Sequence, residues 1–96
     1  MFHKIHRSVS GEVLAVCDKD LSGKTLEFGE IFFEVRESFY GKEILSEEKL
    51  VELLGEFGNA NIVGEKCVGI AIKAGFASEG NTIRIKNVPH LQIFRI

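Results

Sequence analysis

Val13-Leu14-Ala15-Val16-Cys17 is an unbroken apolar run, closed by Glu12 on one side and Asp18 on the other. Its length suits a strand, and apolar side chains at both alternating positions suit a strand buried on both faces. The residues around it read as its neighbours. Phe2 to Arg7 is a candidate first strand, joined to Glu12–Cys17 through the turn residues Ser8-Val9-Ser10-Gly11. Thr25 to Phe28 is a short strand ending at Gly29. In Ile31-Phe32-Phe33-Glu34-Val35 the alternation puts Ile31, Phe33 and Val35 on one face.

The period then changes. Ser46 is placed to cap a helix, with Glu47 and Glu48 complementing its dipole. Leu50, Leu53, Leu54 and Phe57 follow the i, i+3, i+4, i+7 spacing of a buried stripe, and Gly58 is a natural stop. Asn59 or Asn61 is expected to cap a second helix running to Ala74, with Gly75 as its left-handed terminus. Its buried stripe would be Val63, Cys67, Ile70, Ala71 and Ala74. Two closing strands are expected at 82–86 and 90–96, with Pro89 resetting the chain between them. In the first of these, Ile83 and Ile85 would face inward. The order predicts an α+β fold: a mostly antiparallel sheet from the N- and C-terminal strands, with two central helices packed on it.

The chain has 96 residues and a mass of 10.7 kDa, the size of one small domain, 1–96. No apolar run approaches the length of a membrane span. Met1-Phe2-His3-Lys4-Ile5-His6-Arg7 is no secretory signal. The two cysteines, Cys17 and Cys67, lie in apolar surroundings and read as buried reduced thiols. They make neither a disulfide framework nor a paired zinc site, and a cytoplasmic setting is expected.

The formal charge of −2 hides a divided molecule. Residues 1–7 carry Lys4 and Arg7, residues 82–96 carry Arg84, Lys86 and Arg95, and neither segment carries an acid. His3, His6 and His90 are in the same two segments. Residues 27–57 hold nine acids against Arg36, Lys42 and Lys49. Should the first and last strands be neighbours, one basic surface results, suited to a phosphate backbone. Five contacts on single-stranded RNA would give a log–log salt slope of about −3.5. Lys and Arg on edge strands have a plainer use, the prevention of edge-to-edge pairing.

Other motifs carry less. Ser22-Gly23-Lys24-Thr25 resembles the end of a phosphate-binding loop, but Asp18 stands where its first glycine belongs and a strand follows. His3 and His6, three apart on a strand, face opposite ways and cannot share a metal. Cys17 beside Asp18 would be an inert buried thiol rather than a nucleophile. Gly64 and Gly69 fall inside the second helical pattern and suggest close backbone packing or an anion at the helix start.

Three segments taken together resemble one family: Val13-Leu14-Ala15-Val16-Cys17-Asp18, Ala60-Asn61-Ile62-Val63-Gly64-Glu65-Lys66 and Val88-Pro89-His90-Leu91-Gln92, with Phe39-Tyr40-Gly41 between them. This is similar to the small archaeal family known as domain of unknown function 424. The resemblance implies an RNA-binding protein without an assigned mechanism and supplies no catalytic residue. The positions that match its pattern are Asn61, Gly64, Glu65, Pro89, His90 and Gln92.

The reading that follows is a non-catalytic RNA-binding module, associated with RNA or a ribonucleoprotein of the translation apparatus. Its contact surface is expected at Lys4, His6, Arg7, Arg84, Lys86, His90, Gln92 and Arg95, with Asn61, Gly64, Glu65 and Pro89 as family positions. Charge reversal at Arg84 and Lys86 is expected to abolish binding. No cofactor, metal, membrane or DNA-specific motif is implied, and the oligomeric state is left open. The alternative is a protein–protein adaptor that presents its acidic helix with Phe32, Phe39 and Tyr40 to a basic partner. A small enzyme with a pocket joining His90, Glu65 and Asn61 is the third reading.

Overall fold

The computed structural model describes residues 1–94. The chain forms β1 (Phe2–Ser8), β2 (Gly11–Cys17), β3 (Thr25–Phe28), β4 (Ile31–Glu34), α1 (Glu37–Tyr40), β5 (Glu43–Ile44), α2 (Glu47–Glu56), β6 (Asn59–Val63), α3 (Glu65–Lys73), β7 (Ile83–Ile85) and β8 (Val88–Phe94). Six strands make one sheet in the order β5-β1-β2-β6-β8-β7, and β3 and β4 pair separately. The fold is α+β. Every pairing is antiparallel except β2 with β6, which is parallel.

Side-chain alternation divides the sheet into two faces. On one, Leu14, Val16, Ala60, Ile62, Leu91 and Ile93 meet α2 and α3. On the other, Ala15, Cys17 and Val63 meet Leu21, Leu26, Val35 and Tyr40, from the β3–β4 hairpin, α1 and the segments that join them to the sheet. The run Leu14–Cys17 is fully buried because both faces of β2 are covered. Ser46 caps α2 as expected, its Oγ accepting from Lys49 N at 3.1 Å.

The second helix starts later than its periodicity suggests. Asn59–Val63 is a strand, and neither Asn59 nor Asn61 caps a helix. Ala60 and Ile62 face the helices while Asn61 and Val63 face the other way. That period of two competes with the helical spacing, and pairing with buried β2 decides the outcome. Gly64 then turns the chain at φ +122°, and α3 runs over Glu65–Lys73. Val68 joins Cys67, Ile70 and Ala71 in the buried stripe, while Ala74 is exposed.

The C-terminal hairpin also differs from expectation. Its turn is Lys86-Asn87, both at positive φ, so Lys86 leaves the strand. Pro89 lies inside β8 opposite Arg84 and does not separate two strands. It has no N–H to lose, and its carbonyl accepts from Gly64 N at 3.0 Å. Ile83 is 65% exposed, because β7 is an edge strand that the covering layer does not fully reach.

Candidate functional site

The two basic segments do not meet. β2 and β6 stand between β1 and β8, a separation of roughly 14 Å at ordinary strand spacing. Alternation divides the cations further. Lys4 and His6 lie on the face covered by α1, where Lys4 Nζ donates to Ser38 O at 3.1 Å and His6 Nε2 contacts Phe39 O at 2.7 Å. Arg7 points the other way and pairs with Glu12 at 3.0 Å. Arg84 pairs with Glu65 at 2.7 Å and donates to Asn87 O. Lys86 is in the turn, and Arg95 lies outside the described residues. The basic surface expected from the charge map is therefore dispersed over both faces of the sheet.

The helix start is not a free anion site either. Asp18, at the end of β2, already fills it: Oδ2 accepts from Lys66 N and Oδ1 from Cys67 N, both at 2.9 Å. A carboxylate from a distant strand thus caps α3 and satisfies two N–H groups that the helix leaves unpaired. Gly64 is needed for that approach, since a β-carbon there would overlap the Asp18 side chain. The thiols beside this cap are buried. Burial and the neighbouring Asp18 push Cys17 up to about 11 and move Cys67 the same way, so both stay protonated and unreactive at neutral pH.

Polar side chains converge instead at the open half of the α1-covered face. Asn61 on β6 is the centre. Its Oδ1 accepts from the Tyr40 hydroxyl at 2.7 Å and lies 3.1 Å from His90 Nε2 on β8. Gln92, exposed, is Asn61's direct cross-strand partner. Phe33 tilts against the His90 ring at 4.9 Å between centroids. Phe39 stands at the far side, its ring stacked on His6 at 4.6 Å and edge-on to Tyr40 at 4.9 Å. Between them is a shallow cavity of about 200 Å³ lined by Phe33, Glu34, Arg36, Phe39, Tyr40 and Asn61. Its rim ions are paired, Arg36 with Glu34 at 3.2 Å.

Two of the sequence-identified positions, Asn61 and His90, meet here, and Gln92 lies beside Asn61 in the sheet without lining the cavity. Glu65 does not, since it leaves with Arg84 toward the helix face, and the pocket imagined from His90, Glu65 and Asn61 does not form. Phe33, Phe39 and Tyr40 complete the site. Phe39-Tyr40 was visible in the sequence as part of a family segment, but nothing marked Phe33 as its wall.

Burial lowers the His90 pKa below its ordinary value, so the ring is neutral at neutral pH. The unfolded chain takes up this proton near pH 6.5 and the folded chain only at lower pH. Stability from this site is therefore present above about pH 6.5 and lost as pH falls through the depressed value. Thermal melts between about pH 7.5 and pH 5 should show a steeper loss in the native chain than in a His90→Gln variant.

The α+β sheet, helices on one face and the β3–β4 hairpin with α1 on the other, defines a small module with a shallow amide-aromatic cavity on the second face. The chain belongs to the family described as Protein of unknown function (DUF424), which matches residues 6–96. It is similar to the crystal structure of an uncharacterized conserved protein from Methanopyrus kandleri, with a TM-score of 0.80 and 27% identity over 99% of this chain and 92% of that one. No curated protein matches. Among the described residues, no helix is long and apolar enough to cross a membrane.

Proposed function

We propose that this protein is a non-catalytic RNA-binding module that takes an unpaired base into the Asn61 pocket. The observation that carries this reading is the pairing of aromatic walls, Phe33 and Phe39, with a fixed amide on the floor. Single-stranded RNA is recognised by stacking bases on aromatic rings and hydrogen-bonding their edges, and this arrangement supplies both. RNA of the translation apparatus is the partner class to test first.

The same geometry changes what is expected of the charges. Arg7, Arg36 and Arg84 each already face a glutamate. With Arg36 exchanging Glu34 for phosphate and Lys4 on the same face as a second contact, the log–log salt slope should be about −1.4 rather than −3.5. Titration of a labelled ten-nucleotide RNA at several salt concentrations measures it. Phe39→Ala should weaken binding by about tenfold, in line with ~1–3 kcal/mol per stacked base. Arg84→Glu with Lys86→Glu should now leave affinity within about twofold, because neither residue faces the pocket. Strong loss in that charge-reversed variant, with Phe39→Ala unaffected, would return the interface to the basic segments.

The adaptor reading loses its composite surface. The acidic α2 lies on one face of the sheet, the Phe39 and Tyr40 segment lies on the other, and Tyr40 is buried. What remains in its favour is the β3–β4 tip, where Phe28, Ile31 and Phe32 are all more than half exposed.

A further inference from the structure

Asn61 is held between two donors. Tyr40 is 2% exposed, and its hydroxyl hydrogen has Asn61 Oδ1 as its acceptor at 2.7 Å. His90 Nε2 meets the same oxygen at 3.1 Å. An amide oxygen only accepts, so the imidazole carries its proton on Nε2. Turning the amide over would leave the buried Tyr40 hydrogen without its acceptor, a cost that a change of His90 tautomer does not relieve. Both lone pairs of Oδ1 are thereby engaged. Among the described residues nothing takes Nδ2, and Asn61 lines the cavity. The floor of the pocket therefore offers hydrogen-bond donors and no acceptor from this side chain.

We infer that the pocket reads the keto oxygen at the 4 position of a pyrimidine or the 6 position of a purine through Asn61 Nδ2, with Tyr40 and His90 as positioning residues. This rests on the RNA-binding reading and adds the chemical class of base. Uracil and guanine carry a carbonyl acceptor where cytosine and adenine carry an amino donor. Aimed at that position, the Nδ2 donor pairs with the first two and opposes the last two. His90 keeps its Nε2 hydrogen in either charge state, so the preference does not invert with pH.

The test is fluorescence anisotropy of the full chain with labelled ten-nucleotide oligo(U) and oligo(C) RNA. The native chain should bind oligo(U) more tightly by about tenfold or more. Asn61→Asp keeps one oxygen toward Tyr40 and His90 and places a second where Nδ2 stood. Its preference should invert to oligo(C). Tyr40→Phe releases the amide to turn, and should bring the two affinities to within about threefold while thermal unfolding stays cooperative. Asn61→Ala removes the donor, should also abolish the discrimination, and serves if the aspartate variant fails to fold. Equal binding of both RNAs by the native chain, or unchanged discrimination in Asn61→Ala, overturns the inference while leaving RNA binding intact. Absence of binding to either RNA overturns the RNA-binding reading itself.

Discussion

Gly64→Ala is expected to be the most damaging single-methyl change in this protein. The backbone at Gly64 sits at φ +122°, a region that side chains other than hydrogen avoid. A β-carbon there would lie 2.7 Å from the β-carbon of Asp18 and closer still to its carboxyl carbon. Neither neighbour can yield freely. Asp18 is anchored by its own N–H to Val63 O at 3.0 Å and by its two carboxylate contacts to α3. The methyl must therefore either distort the β6–α3 turn or push the carboxylate off the helix. Backbone strain of about 1–3 kcal/mol and the loss of one or two buried hydrogen bonds together give about 3–5 kcal/mol. In a domain of this size each kcal/mol is about 4–8 °C in Tm. Scanning calorimetry or thermal circular dichroism should thus show a fall of more than about 12 °C. A fall of only one or two degrees would mean that the turn relaxes and that the approach of Asp18 is not constrained.

Removal of the carboxylate should be nearly as costly. Asp18→Ala leaves the N–H groups of Lys66 and Cys67 without their acceptor, the second of them buried. Each orphaned donor costs ~1–3 kcal/mol, and loss of an N-terminal cap typically ~1 kcal/mol, so about 2–4 kcal/mol is expected. Asp18→Asn retains one acceptor and should lose about half as much. Asp20→Ala, at an exposed neighbouring acid, should change stability by less than about 0.5 kcal/mol and is the control. Chemical denaturation of the three variants distinguishes a specific cap from a general charge effect. Equal losses for Asp18→Ala and Asp20→Ala would exclude the cap.

These two predictions concern residues that the sequence displayed openly, in the segments ending at Asp18 and running through Gly64-Glu65-Lys66. Their relation was not legible, because 48 residues separate Asp18 from Lys66 and no local pattern reports a contact of that range. Local chemistry was readable elsewhere. Ser46 announced α2, the apolar run Val13–Cys17 announced a doubly buried strand, and the alternation in Ile31–Val35 announced β4. Asn59–Val63 misled because asparagines before an apolar stripe resemble helix caps, and only pairing with β2 reveals the strand. The site was half legible for a similar reason. Asn61, His90 and Gln92 stood out as motif positions, yet strand order decides whether they meet. Strand order also separated Lys4 and Arg7 from Arg84, and charge counts along the chain do not carry that information. Phe33 became a wall of the pocket only through the fold of the β3–β4 hairpin back over β6 and β8.

β6 has a further consequence for how safely the pocket is built. Its residues alternate between two unlike tasks, Ala60 and Ile62 filling the layer beneath the helices while Asn59 and Asn61 face the open side. Slippage by one position would exchange these sets. Two amides would then be driven dry into an apolar layer, at a cost no neighbouring donor or acceptor there relieves. Asn61, which gives the pocket its amide, thus also helps, with Asn59, to keep the strand from settling one step out of line.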